Sequence, residues 1–202
     1  MTGCVHIIDD DEAIRDALSF LFASRGLRVQ GWPSGEDFLQ ALPLPDCACI
    51  MLDVRMGGLS GPDTFDRLRA AGCLAPVIFL TGHADVPVAV RALKAGAFDF
   101  VEKPFNDNAL VDLVLAAIEA HAAQVAHSGA REDVARRLAS LSTREEEVLR
   151  LMLQGRLNKQ IADTLGIAMR TVELHRSRLI AKMGARNAVE LAALLSEAGL
   201  PR

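Results

Sequence analysis

Residues 5–11 read Val5-His6-Ile7-Ile8-Asp9-Asp10-Asp11, a short, largely apolar run that stops abruptly on carboxylates. Strands buried on both faces of a parallel sheet look like this, because neither face has to alternate with polar residues. The pattern recurs downstream. Ala48–Leu52 runs into Asp53, Pro76–Leu80 into Thr81, and the weaker Asp99–Val101 into Glu102 and Lys103, with a further weak run at Leu27–Trp32. Helix-length segments lie between them and end on Gly26, Gly72 and Gly96, while Pro62 and Pro87 suit first turns. Five such βα units predict a small doubly wound α/β domain with a five-stranded parallel sheet.

In an open parallel sheet the loops at the carboxyl ends of the strands converge on one crevice. Asp9, Asp10, Asp53, Thr81 and Lys103 should therefore meet there. Three carboxylates held together repel one another, and a hard, oxygen-seeking cation such as Mg²⁺ relieves that repulsion. In-line phosphoryl transfer is mostly positioning and electrostatics, and here Asp53 has the place of a nucleophile that forms an acyl phosphate. Lys103 would pair with the phosphoryl oxygens and the Thr81 hydroxyl would donate to one of them. Taken singly, each of these residues could be an ordinary strand-end turn residue. All of them at matching strand ends argue for a site.

The chain has 202 residues, half of them apolar and about a quarter charged. That length predicts one domain of roughly 120 residues and a smaller one. With no run of about 18 apolar residues and no basic-then-apolar leader, the expectation is a soluble, cytoplasmic protein that does not engage a membrane. Cys4, Cys47, Cys49 and Cys73 form no CxxC pair and read as buried reduced thiols, with Cys47 and Cys49 on one face of a strand. Through Val125 there are 9 basic against 17 acidic residues, whereas the remainder has 13 against 9, so the acidic total conceals a basic C-terminal part. Such a part suggests contact with nucleic acid.

In that part, Ser142-Thr143-Arg144-Glu145 is a capping box opening an amphipathic helix. Asn158 is placed to cap a short second helix with Ile161, Ala162 and Leu165 inward. A third helix, about Met169 to Met183, buries Val172, Leu179 and Met183 and presents Arg170, Glu173, Leu174, Ser177 and Arg178 on its other side. Arginine for guanine, glutamate for a cytosine amino group and an apolar contact for a thymine methyl are what the major groove asks of a reader. Arg156, Lys159, Thr171, Arg176, Lys182 and Arg186 are better placed for phosphates. The intervening residues 122–139 read as a partly helical linker with Ser128-Gly129 as a breaker.

The segments VHIIDDDEAIR, MLDVRM, FLTGHADV and DFVEKPF together resemble the receiver domain of two-component response regulators over residues 1–121. Residues 140–202 are similar to the LuxR/NarL-type four-helix DNA-binding domain, and the whole chain looks like a FixJ/NarL-type regulator. The resemblance implies Asp53 as phosphoacceptor, with Asp10, Asp53 and the Arg55 carbonyl as direct Mg²⁺ ligands and Asp9 as a ligand through water. It implies a switch in which Thr81 moves toward the phosphoryl group and Phe100 rotates inward, and a cis Lys103-Pro104 bond. It further implies a sensor histidine kinase, double-stranded DNA and RNA polymerase as partners, and a homodimer formed on phosphorylation through a helix carrying Val86, Val90 and Lys94.

Two departures stand out. Receivers usually have proline after the methionine of the phosphoacceptor loop, whereas Met56 here precedes Gly57, which frees the loop by roughly 0.4–1 kcal/mol of unfolded-state entropy. Ala168 stands where a polar N-cap is common, at a cost of roughly 0.5–2 kcal/mol to the third helix. Two alternatives remain open on sequence: a LuxR-type regulator that works without phosphorylation, and an enzyme, a haloacid-dehalogenase-like phosphatase using Asp9 as nucleophile.

Overall fold

The computed structural model describes residues 3–82 and 86–199, with the backbone alone at 86, 87 and 89. The elements run β1 (Cys4–Ile8), α1 (Glu12–Ser24), β2 (Arg28–Trp32), α2 (Gly35–Gln40), β3 (Cys47–Asp53), α3 (Gly61–Ala70), β4 (Val77–Thr81), α4 (Val86–Lys94) and β5 (Asp99–Glu102). They continue as α5 (Asp107–Ala139), α6 (Thr143–Leu153), α7 (Asn158–Leu165), α8 (Met169–Met183) and α9 (Ala188–Glu197). The chain divides into two compact units, Met1–Ala123 and Gln124–Arg202.

The first unit holds a parallel sheet in the order β2-β1-β3-β4-β5, the doubly wound arrangement expected. Its strands read as unbroken apolar runs because both faces are covered. On β3, Met51 packs with Phe22, Leu18 and Val114 beneath α1 and α5, while its neighbours Ile50 and Leu52 pack with Phe38, Phe65 and Leu68 beneath α2 and α3. One departure occurs at the start of β3. Cys4 pairs with Cys47 but Val5 pairs with Cys49, so a bulge interrupts the register. Cys47 and Cys49, expected on one face, consequently belong to opposite cores. Cys4 and Cys49 are buried as expected, but Cys47 and Cys73 are only partly so.

The expected break at Ser128-Gly129 is absent. Helix α5 continues through it, since a single interior glycine costs about 1 kcal/mol against a run of alanines and other good helix formers. Asp133 adds ion pairs to Arg137 and Arg136 on the following turn. Helix α5 is long and apolar enough to cross a membrane by length and composition, although it contains no unbroken run of about 18 apolar residues. Its first turns, however, bury Leu110, Val111, Val114 and Ala117 in the core of the sheet.

In the second unit, Val148, Ile161, Ala162 and Val172 make one small core, and Leu149, Leu179, Met183, Leu191 and Leu195 make another with Val134. Ser142 and Glu145 form both halves of the predicted capping box. Asn158 does not cap α7. Leu157 takes the cap position, its N–H donating to Gln160 Oε1 at 3.0 Å, and Asn158 is the first helical residue. The start of α8 has no side-chain cap at Ala168, as expected.

Candidate functional site

The crevice at the carboxyl ends of β1, β3 and β5 is organised by Lys103. Its ammonium donates to Asp9 Oδ2 and to Asp53 Oδ1, each at 2.7 Å. Asp9 and Asp53 are buried, at 1% and 6% exposed, so the lysine neutralises charge that water cannot reach. Backbone amides take the other oxygens. Arg55 N–H donates to Asp53 Oδ2 at 2.7 Å and Asp11 N–H to Asp9 Oδ1 at 2.9 Å. Burial raises the Asp53 pKa above the ordinary carboxylate value, an effect that the Lys103 hydrogen bond only partly offsets. Burial pulls Lys103 down, but its bonds to Asp53 and Asp9 prevail and leave it above the ordinary lysine value.

Thr81, the last residue of β4, is buried beside Glu102 in the register, and its carbonyl accepts the Lys103 N–H. The Lys103-Pro104 bond is cis, as the resemblance implied. Phe100 is partly buried against the α3–α4 side of the core. On α4, Val90 and Lys94 are exposed one turn apart, whereas the Val86 side chain lies outside the described residues.

Asp10 departs from expectation. It is exposed, and its Oδ2 accepts the Gly57 N–H at 2.9 Å rather than joining Asp9 and Asp53. Among the described residues no three acidic, histidine or cysteine side chains stand together as a metal cluster. The donors are nevertheless of the right kind: Asp9, Asp10 and Asp53 carboxylates with the Arg55 carbonyl form an all-oxygen set that suits Mg²⁺.

Several participants escaped the sequence reading. Arg15, on α1, donates to the Asp9 carbonyl at 2.7 Å, and Asp11 caps α1 through Ala13 N–H. Glu36 Oε1 accepts the Leu59 N–H at 2.8 Å, holding the loop after β3. Gly61 opens α3 directly against the Asp53 carbonyl, where any Cβ would collide. The only sequence signal for these was the glycine-rich loop itself.

In the second unit, Lys159, Arg170, Glu173, Leu174, Ser177 and Arg178 are exposed and Thr171 is half-buried. Leu174 is 49% exposed. Three expected phosphate contacts have other partners, Arg186 through an ion pair with Glu190 at 3.8 Å. Arg176 donates to Asn158 Oδ1 at 2.8 Å, tying α8 to α7. Lys182 donates to the Ser140 carbonyl at 3.0 Å and to Glu145 Oε2 at 2.7 Å. Hydrogen bonds from Lys182 and the Ser142 backbone lower the pKa of buried Glu145 to about 2.

Comparison with known proteins agrees with this geometry. The response regulator receiver domain matches residues 5–115, and the bacterial regulatory proteins of the luxR family match residues 139–195. The chain is 62% identical to the C4-dicarboxylate transport transcriptional regulatory protein DctR of Rhodobacter capsulatus, over 95% of this chain and 98% of that protein. It is 46% identical to the transcriptional regulatory protein FixJ of Azorhizobium caulinodans, over 97% and 93%. The structure of response regulator StyR superposes with a TM-score of 0.88 at 35% identity, covering 98% of this chain and 99% of that one. Proteins of this kind control transcription and are not typical enzymes; their receivers imply a histidine kinase partner and generally use Mg²⁺. The chain thus belongs to the response regulators of two-component systems, with a receiver domain followed by a LuxR-family helix-turn-helix domain.

Proposed function

We propose that a sensor histidine kinase phosphorylates Asp53 in the cytoplasm, that the receiver then dimerises through its α4–β5 face, and that the dimer binds double-stranded DNA to control transcription by RNA polymerase. The observation that carries this reading is the placement of Lys103 between Asp9 and Asp53, with Thr81 at the neighbouring strand end. Asp53 supplies the nucleophilic carboxylate. Lys103 holds it in place and is positioned to pair with a phosphoryl oxygen, and Thr81 supplies a hydroxyl beside it. Asp9, Asp10, Asp53 and the Arg55 carbonyl would hold Mg²⁺, which supplies neutralisation of the phosphoryl charge.

Phosphorylation would draw Lys103 and Thr81 toward Asp53 and bias Phe100 inward, altering the surface that carries Val90 and Lys94. On DNA, Arg170, Glu173, Leu174, Ser177 and Arg178 would face base edges while Lys159 and Thr171 meet phosphates. A dimer places two α8 helices on one DNA face, with half-sites about one helical turn or a multiple apart. The DctR relative makes genes of C4-dicarboxylate transport the first targets to test. The phosphatase alternative draws no support from the family matches, which are to a receiver domain and a LuxR-family domain.

Sedimentation with Mg²⁺, with and without beryllofluoride, tests the proposal on wild type and Asp53→Asn. The expected result is a doubling of mass in wild type alone. A dimer in every sample, or in none, would overturn dimerisation as the switch.

A further inference from the structure

The bulge that separates Cys47 from Cys49 turns Cys47 toward the core that Cys73 also joins. Cys47 opens β3, and Cys73 lies in the turn before β4. Since Ile50 pairs with Val77, these two residues approach one another at the amino end of the sheet, opposite the Asp53 crevice. The two thiols are near enough to influence one another's ionisation. Both line a cleft of about 570 Å³ whose other walls are Leu42, Pro45 and Leu74, with His121 on α5. His121 Nδ1 is buried there without a hydrogen-bond partner.

The Cys73 turn is fixed by Arg69, whose Nη1 donates to the Cys73 carbonyl at 2.6 Å and to the Ala75 carbonyl at 2.9 Å while its guanidinium lies 4.7 Å from the Phe65 ring centroid. Interaction with Cys47, the main influence, with the nearby backbone and the Arg69 charge, favours ionisation of Cys73 over Cys47. Two neighbouring thiols that both line a cleft are set apart from Cys4 and Cys49, which are buried and do not line it.

We propose that Cys47 and Cys73 are a redox-responsive dithiol, oxidised by a peroxide to an intramolecular disulfide. The Cys73 thiolate attacks one peroxide oxygen, the O–O bond breaks, and the departing hydroxide takes a proton to become water. Cys47, losing its proton, then attacks the sulfur of the Cys73 sulfenic acid, and a second water leaves as the S–S bond forms. Two thiols and one peroxide give one disulfide and two waters, and a small thiol reverses the change by exchange. The bond closes a loop containing the rest of β3, Asp53 and α3, so oxidation constrains the segment that carries the phosphoacceptor.

The test treats the full chain with hydrogen peroxide, alkylates the remaining thiols and maps peptides by mass spectrometry. Wild type should lose two alkylation sites and yield a Cys47–Cys73 linked peptide, with Cys4 and Cys49 still alkylated and a reducing agent restoring all sites. Cys47→Ser should instead accumulate Cys73 sulfenic acid, trapped by dimedone. Four alkylated cysteines after peroxide, or a link that involves Cys4, Cys49 or a second chain, overturns the proposal; the wild-type map gives this answer even where the variant folds poorly.

Discussion

Gly57 donates its backbone N–H to the Asp10 carboxylate at 2.9 Å, an interaction that the proline usual at this position in receivers cannot make. The glycine therefore does more than loosen the phosphoacceptor loop. It holds a proposed Mg²⁺ ligand on the loop side of the crevice, and the ion must compete with this amide for the oxygen.

Gly57→Pro should bind Mg²⁺ about 2–10-fold more tightly, as expected for removing one competing hydrogen bond of roughly 0.5–1.5 kcal/mol. Its stability should stay within about 1 kcal/mol of wild type, because the lost bond and the stiffer chain act in opposite directions. Gly57→Ala keeps the N–H and should bind as wild type does. Calorimetric titration of the three proteins with Mg²⁺ distinguishes the cases; equal affinities would mean that the amide does not restrain Asp10.

Removing either partner of the Lys103–Asp53 pair should have opposite effects. Lys103→Met leaves two buried carboxylates without a counter-charge and should cost roughly 3–5 kcal/mol. Asp53→Asn leaves Lys103 paired with Asp9 and removes a carboxylate whose pKa burial already raises, so stability should hold or increase. Urea denaturation measures both. The Asn variant should also take no label from a small phosphodonor; labelling equal to wild type would exclude Asp53 as the acceptor.

Glu145 predicts an acid limit for the second unit. Its folded pKa of about 2 lies below the ordinary 4.5, so the stabilisation it contributes is complete above about 4.5 and disappears as pH falls toward 2. Urea denaturation at pH 6 and pH 3 should show a larger loss in wild type than in Glu145→Gln. Lys182→Met should destabilise by roughly 1–3 kcal/mol at neutral pH, since it strips a buried carboxylate of its charged donor.

Leu174→Ala should leave folding within about 0.5 kcal/mol of wild type, as its side chain is half exposed, while weakening binding to the cognate site. Lys159→Ala should weaken binding to all sequences alike and reduce the salt slope by about one. Fluorescence anisotropy with specific and scrambled duplexes over a salt series separates base reading from phosphate contact. A Leu174→Ala protein with unchanged discrimination would remove that residue from the reading face.

The strands were legible because two-sided burial writes itself as continuous apolar runs, and Asp53 and Lys103 followed from where those runs stop. The capping box at Ser142 and the buried stripe of α8 were legible because both are local. What escaped depends on backbone placement. The bulge that separates Cys47 from Cys49 leaves no mark in a run such as CACIMLD, and an amide at Gly57 has no letter of its own. Asn158 looked like a cap because asparagine favours that position, but its oxygen is taken by Arg176 from across the fold. Helix α5 passed through Gly129 because neighbouring alanines outweigh one poor helix former.

Ser142, Glu145 and Lys182 form a unit in a sense that bears on how the second unit can change over time. One carboxylate closes the start of α6 and also receives the ammonium from the last turn of α8. A drift at any one of the three positions leaves the other two with an unmet charge or amide, so the lysine should be inherited with the glutamate rather than with the DNA sequence read by its helix. If the proposed reading positions 170, 173 and 174 change to address a new promoter, position 182 should stay fixed.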